Sequence, residues 1–241
     1  MNWDDTTIII PCMNEAATIQ RVVREVAAAV PGAELLVIHG GSDETLKRAG
    51  ELRGELPRLL LVPNPNDRGK GHAVREAVRR ASGRYIAQFD ADLQFHAADL
   101  PVILAPVLEG KTDICVGSRF LPQSTASEEA AILTRDWGNK LLSAYASLLA
   151  GRRLSDVTTG MKAWTRAAID RIAYRDDRYS YEVELLVRAA RLGLRVLDVP
   201  VRYRGRSTGE SMHRNNLAVA KAGLVILLKA TACRFRRDLP G

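Results

Sequence analysis

The apolar residues of this 241-residue chain fall into two alternating rhythms over its first half. Residues 6–11, Thr-Thr-Ile-Ile-Ile-Pro, are β-branched and free of charge, the pattern of a strand buried on both faces. Ile19, Val22, Val23, Val26 and Val30 then recur at helical spacing, and Pro31-Gly32 ends that helix. Strands at 34–38 and 59–62 follow, with a polar helix to about Arg53 between them. Gly69-Lys70-Gly71 opens a helix through Ala81. A strand at 85–89, a helix at 99–108 and a strand at 113–117 complete the series. Such alternation with short connections predicts an α/β fold: a mainly parallel, Rossmann-like sheet flanked by helices on both faces. Ligands bind such sheets outside the carboxyl ends of the strands. Glu15, Gly40, Asp90, Asp92 and Arg119 all fall there.

The pattern changes after Pro122. Residues 123–130 are small and polar and read as a mobile loop, and 135–150 carry Leu141, Leu142, Tyr145, Leu148 and Leu149 at helical spacing. A turn at 156–160 leads to a short strand at 161–164, and Thr165 is placed to cap the next helix. The helix at 182–192 stops at Gly193, a residue suited to a left-handed cap. Residues 195–203 read as a strand interrupted by Pro200. With no repeat and no linker, residues 1–215 form one domain, and residues 216–241 carry a C-terminal amphipathic helix. Lys221, Lys229 and Arg236 of that helix lie within about 80° of one another at ~100° per residue. Its uninterrupted apolar run is far shorter than the ~20 residues needed to span a bilayer. It either lies in a membrane interface or packs on protein, the core or a second subunit of a homodimer.

Charge sharpens the functional reading. Up to Thr134 there are 14 Lys/Arg against 18 Asp/Glu; from Arg135 onward there are 21 against 10. A basic second half suits phosphates or anionic lipid. It does not suit nucleic acid, for which no binding motif or aromatic series is present. Cys12, Cys115 and Cys233 show no CxxC spacing and read as reduced thiols of a cytoplasmic protein. The first residues have neither a basic region nor an apolar core, so no signal peptide is expected.

The chemistry concentrates in residues 84–96, where a short apolar strand ends in Asp90, Asp92 and Gln94. Hard oxygen ligands at a strand end suit Mg²⁺ or Mn²⁺, ions that also hold substrate phosphates. An Asp-x-Asp alone reads first as a solvated acidic loop, and the strand before it raises the metal reading. The absence of a G-x-G-x-x-G after the first strand argues against a dinucleotide dehydrogenase.

Several motifs in order resemble the inverting family 2 glycosyltransferases of the GT-A fold, and among them the dolichyl- or polyprenyl-phosphate mannose or glucose synthases. They are Ile10-Pro-Cys-Met-Asn-Glu15, Asn66-Asp-Arg-Gly-Lys-Gly71, Phe89-Asp-Ala-Asp-Leu-Gln94, Val116-Gly-Ser-Arg-Phe120, Ser155-Asp-Val-Thr-Thr-Gly160, Glu182-Val-Glu184 and Val199-Pro-Val201 leading to Gly209-Glu-Ser211. The resemblance implies that Pro11, Met13 and Glu15 line a nucleotide pocket, with His39, Lys70, Asp90 and Ala91 also on the nucleotide sugar. It implies that Asp90, Asp92 and Gln94 hold Mg²⁺ or Mn²⁺. Arg119, Arg135 and Arg206 would face phosphates, and Asp156 the acceptor, with Asp92, Arg119 and Asp156 the catalytic set. The implied partners are a nucleotide-sugar donor of the GDP-mannose or UDP-glucose type and a polyprenyl-phosphate acceptor. The implied place is the cytoplasm, at the inner face of the membrane through residues 216–237.

Two departures matter. The family carries consecutive acids after the second strand, where this chain has His39-Gly40, and a lone histidine is more often structural than ligand-binding. The family's lysine after Gly-Glu-Ser is replaced by Met212-His213-Arg214. Two other readings stay open: a soluble family 2 enzyme acting on a hydroxyl with Asp156, Glu182 or Glu184 as base, and a non-catalytic nucleotide-sugar-binding relative or scaffold.

Overall fold

The computed structural model describes residues 1–126, 133–204 and 216–235. Within them the first half follows the expected alternation: β1 (Thr6–Cys12), α1 (Ile19–Ala29), β2 (Glu34–His39), α2 (Thr45–Gly50), β3 (Leu59–Pro63), α3 (Lys70–Arg80), β4 (Tyr85–Phe89), α4 (Leu100–Leu108) and β5 (Ile114–Ser118). Then come β6 (Thr125–Ala126), α5 (Leu133–Ala150), β7 (Met161–Thr165), α6 (Arg166–Ile172), α7 (Tyr181–Arg191), β8 (Val196–Pro200), β9 (Arg202–Tyr203) and α8 (Asn216–Phe235).

Seven strands form one sheet in the order β3-β2-β1-β4-β7-β5-β8. All are parallel except β7, which is wedged antiparallel between β4 and β5. Every residue of β1 is buried, as its β-branched run requires. Ile8 and Ile10 point into a core layer with α1 and α4, while Ile9 points into the opposite layer with α3, α5, α6 and α7. Helix α8 packs on α7 and α5, contributing Ala230 and Cys233 to that second layer.

Local signals behave as their chemistry dictates. Thr165 caps α6, its hydroxyl accepting from the Ala168 N–H at 3.1 Å. Gly193 adopts φ +68° beyond the end of α7, a conformation that costs other L-residues about 1–2 kcal/mol. Two expectations shift. The 195–203 strand is interrupted at Pro200 as expected, but its second part, β9, leaves the main sheet to pair with β6. The segment expected to be a loop throughout therefore contains a short strand at its start. Residues 127–130 of that expected loop lie outside the described residues. Cys12, Cys115 and Cys233 are buried free thiols.

Candidate active site

Parallel strands bring their carboxyl ends to one edge of the sheet, and β7, running the other way, brings the turn before it to the same edge. Phe89 at the end of β4 is in register with Met161 at the start of β7. The motifs after β4 and β5 thus meet the 156–160 turn, and those after β1 and β2 lie at the same edge of the sheet.

Asp90 is the centre of the arrangement. Its Oδ1 accepts from Gln88 Nε2 at 2.9 Å, and Lys70 Nζ reaches its Oδ2 at 2.5 Å from the first residue of α3. The same ammonium lies 2.8 Å from Glu182 Oε1 in the first turn of α7. Burial alone would lower the Lys70 pKa, but Asp90 and Glu182 hold it well above the ordinary lysine value. Tyr181 donates its hydroxyl to Gln88 Oε1 at 2.8 Å, and burial pushes that phenol well above its usual range, so it stays a donor. Lys162 on β7 is fully buried, 4.0 Å from Glu182 and bonded to the Thr159 carbonyl. Burial lowers its pKa against the pull of Glu182. Two ammoniums and two carboxylates thus sit together at the strand ends.

A Cβ at Gly160 would lie 2.0 Å from Asp90 Oδ2. The glycine is required because this carboxylate fills the space its side chain would occupy. Asp92 accepts from the Gln94 N–H at 3.2 Å, closing a tight turn in which Leu93 takes φ +59°. Gln94 turns its amide to Tyr203, with Nε2 to Oη at 2.6 Å. Ala91 is buried, and its carbonyl accepts from Thr18. Among the described residues no group of three or more Asp, Glu, His or Cys could alone hold a metal ion. Two carboxylates at a strand end nevertheless fit Mg²⁺ or Mn²⁺, hard ions that take their remaining ligands from water and substrate phosphates.

On the other side, Arg119 is clamped by Asp156. Nε and Nη2 donate to the two carboxylate oxygens at 2.7 and 2.8 Å, and the Arg119 backbone N–H adds a third bond at 3.1 Å. Asp156 is wholly buried, and it holds the guanidinium pKa far up against the cost of burial. Nη2 also bonds Thr158, and the guanidinium lies 5.3 Å over the Tyr203 ring and 5.2 Å over the Phe120 ring. The 156–160 turn therefore joins both halves, Asp156 holding Arg119 and Gly160 admitting Asp90. Arg206 lies outside the described residues, as does the side chain of Arg135, whose backbone is in α5.

Beyond β1 and β2, Pro11 is buried, Met13 half exposed and Glu15 partly buried. His39 is buried and ties loop to loop, its Nε2 accepting from the Asn14 N–H at 3.3 Å and lying 3.2 Å from Asp43 Oδ1. These contacts support the structural reading of His39. At Gly40 a Cβ would fall 2.4 Å from Asp67 Oδ2. An acid from the loop after β3 thus occupies the space beside the position where the chain lacks one. The sequence reading overlooked Asp67, Lys162, Tyr203 and Gly160. For Gly160 the signal was available, a glycine ending a motif that faces the Asp-x-Asp strand.

Comparison with known proteins agrees with this geometry. Residues 7–173 match the model of glycosyl transferase family 2. The chain is 30% identical over 229 residues to glycosyltransferase AglJ of Haloferax volcanii, covering 94% of this chain and 71% of that one. It is 29% identical over 211 residues to undecaprenyl-phosphate mannosyltransferase of Micrococcus luteus, covering 84% and 85%. Its fold matches glucosyl-3-phosphoglycerate synthase of Mycobacterium tuberculosis, solved with Mn²⁺, UDP and glucosyl-3-phosphoglycerate, at TM-score 0.69 and 22% identity over 99% of this chain and 81% of that one. With the Asp-x-Asp, the clamped arginine and the mainly parallel sheet in their expected places, the chain belongs to glycosyl transferase family 2 and has the GT-A fold.

Proposed function

We propose that the chain transfers a hexose from a nucleotide sugar to a polyprenyl phosphate, with inversion and with a divalent ion assisting. The observation that carries the acceptor reading is the state of the three carboxylates considered as bases. Asp156 is spent on Arg119, Glu182 on Lys70, and Glu184 accepts from the backbone N–H groups of Arg175 and Asp176 at 3.1 and 2.8 Å. A hydroxyl acceptor needs a base within reach of its proton. A phosphate acceptor needs none, because its oxygen is already anionic near neutral pH.

The step balances without proton removal. An acceptor phosphate oxygen forms the new bond to the anomeric carbon. The bond to the donor diphosphate breaks, and its electron pair leaves with the nucleoside diphosphate. A divalent ion held by Asp90 and Asp92 would neutralise the departing diphosphate when bound. Lys70 supplies a second positive charge beside it, and Arg119, pre-oriented by Asp156, presents a fixed guanidinium to a phosphate. Similarity to the undecaprenyl-phosphate mannosyltransferase supports this choice of acceptor, and the Mn²⁺ and UDP of the structural relative support metal and nucleotide. Met13, Glu15 and the Gly40–Asp67 contact border the nucleoside.

The test pairs a panel of GDP-, UDP- and dTDP-sugars and Mn²⁺ with a polyprenyl phosphate and with the corresponding free alcohol. Transfer to the phosphate alone, lost in Asp92→Ala, is expected. Equal transfer to the alcohol would overturn the acceptor reading, and no turnover of any donor would overturn the enzyme itself.

A further inference from the structure

Of the thirteen large hydrophobic side chains exposed among the described residues, seven lie on α5 and α8. The others are scattered along the chain, as single exposed apolar residues normally are. On α5 the outermost are Trp137, Leu141 and Leu148, exposed by 73, 70 and 77%; on α8 they are Leu224, Leu228 and Phe235, at 58, 62 and 75%. Both sets follow the same i, i+4, i+11 spacing, which at about 100° per residue keeps each within a stripe some 40° wide. The helices are neighbours, joined by a 2.6 Å bond between Tyr145 Oη and Thr231 Oγ1 that borders both stripes. Buried on the inner side of the same helices are Leu142, Ala146, Ala230 and Cys233. The outer apolar residues are therefore additional to those that hold the helices to the core. Two neighbouring helices that each carry an exposed apolar stripe mark an interaction surface.

Charge selects the partner. Helices α5 and α8, with the two residues Arg152 and Arg153 just after α5, contain Arg135, Lys140, Arg152, Arg153, Lys221, Lys229 and Arg234 against a single acid, Asp136. Lys140, Arg153 and Arg234 are exposed. A two-fold pairing of this face with a second copy would set these cations against their own kind. An anionic lipid leaflet complements both the stripes and the cations. No helix among the described residues is long and apolar enough to cross a membrane, so the face rests on the surface and does not span it. Position agrees as well. Lys140 Nζ lies 5.4 Å from the centre of the Phe120 ring, next to Arg119, so the α5 stripe starts beside the end of the site assigned to the acceptor phosphate.

We propose that α5 and α8 together form a docking face for an anionic membrane surface, with Trp137 inserted at the headgroup level beside the mouth of the active site. The proposal deepens, and rests on, the reading of the acceptor as a polyprenyl phosphate. It extends the membrane contact expected of residues 216–237 to a second helix that lies next to the site.

Trp137 makes the test direct, because Trp3 and Trp164 are buried and Trp137 is the exposed indole. Intrinsic emission is followed while the full chain is titrated with vesicles of phosphatidylcholine alone or mixed with phosphatidylglycerol, some carrying brominated acyl chains. Expected are a blue shift and bromine quenching with the anionic vesicles. Partitioning should exceed that onto neutral vesicles by on the order of a hundredfold, about fivefold for each exposed cation. Leu141→Ser with Leu148→Ser, and separately Leu224→Ser with Leu228→Ser, replace solvent-exposed residues and should each lower partitioning at least about tenfold with melting unchanged. An unchanged emission with anionic vesicles overturns the proposal. So does a lipid-free shift that rises with protein concentration alongside a doubled mass, the signature of a second copy. Turnover of a water-soluble short-chain prenyl phosphate separates the two readings. Transfer without vesicle binding sinks the docking face alone, and vesicle binding without transfer sinks the acceptor assignment alone.

Discussion

Lys70 stands beside a carboxylate proposed to hold the divalent ion. Its ammonium sits between Asp90 and Glu182, so part of the carboxylate charge is already offset from within. A divalent ion that takes Asp90 must displace this contact or share the carboxylate with it, and a donor diphosphate gives the freed ammonium a new partner. Lys162, 4.0 Å from Glu182, leaves that carboxylate a counter-charge in either case. Lys70→Met should therefore have two opposed effects. Without metal, Asp90 loses its ammonium and Glu182 keeps only Lys162 at 4.0 Å, and stability falls by about 3–5 kcal/mol, as for a buried pair that loses one partner. With Mn²⁺ the variant should regain more in melting temperature than the parent does, because no ammonium competes for Asp90. Thermal melts with and without Mn²⁺ read both effects. An equal Mn²⁺ shift in the two proteins would show that Lys70 does not stand in for the ion.

At the scale of elements, β7 does the most to assemble the site and was the least legible in the sequence. Its residues 161–164 read as a strand, but direction and neighbours are set by pairings remote in sequence, and no local pattern signals an antiparallel strand between β4 and β5. The alternation of β1 to β5 was legible because each strand is buried on both faces and each helix shows its apolar side. The Asp-x-Asp was legible because a strand ending in acids is unusual. Asp67 beside Gly40, and Tyr203 linking Gln94 to Arg119, depend on loops meeting across the strand ends and left no local trace. The reversal of β7 explains why Gly160, far from Asp90 in sequence, must be glycine. In Gly160→Ala either the turn or the carboxylate has to move, and displacement by about 1 Å in such a site costs about a hundredfold in kcat/KM. Gly54, with nothing within 4 Å of its Cβ position, gives the control, and Gly54→Ala should keep full activity. Near-normal turnover in Gly160→Ala, with the fold verified by melting, would remove Asp90 from the reaction.

Over the whole molecule, charge and site share one polarity. The sequence to Thr134 carries more acid than base, and the remainder carries 21 Lys/Arg against 10 Asp/Glu. The acidic half supplies Asp90 and Asp92 to the end of the site proposed for the donor. The basic half supplies α5 and α8, which carry exposed cations and apolar stripes, and Lys140 of α5 lies over the Phe120 ring next to Arg119. On the proposed reading, an enzyme so arranged would meet a membrane-borne acceptor through two forces of different range. Attraction between its cations and an anionic leaflet is screened by salt, the Debye length shrinking from about 10 Å at 0.1 M to about 3 Å at 1 M. Burial of Trp137 and the leucines in the headgroup region, as proposed, would not weaken with salt. Turnover of vesicle-borne polyprenyl phosphate should therefore fall by about tenfold or more across that range, while turnover of a water-soluble short-chain acceptor falls far less. Leucine-to-serine changes on the stripes should steepen the salt dependence, because they leave only the screened force to hold the enzyme on the vesicle. Parallel salt dependences for the two acceptors would place the sensitive contact inside the active site, at Arg119 and Lys70, and leave the docking face no part in turnover.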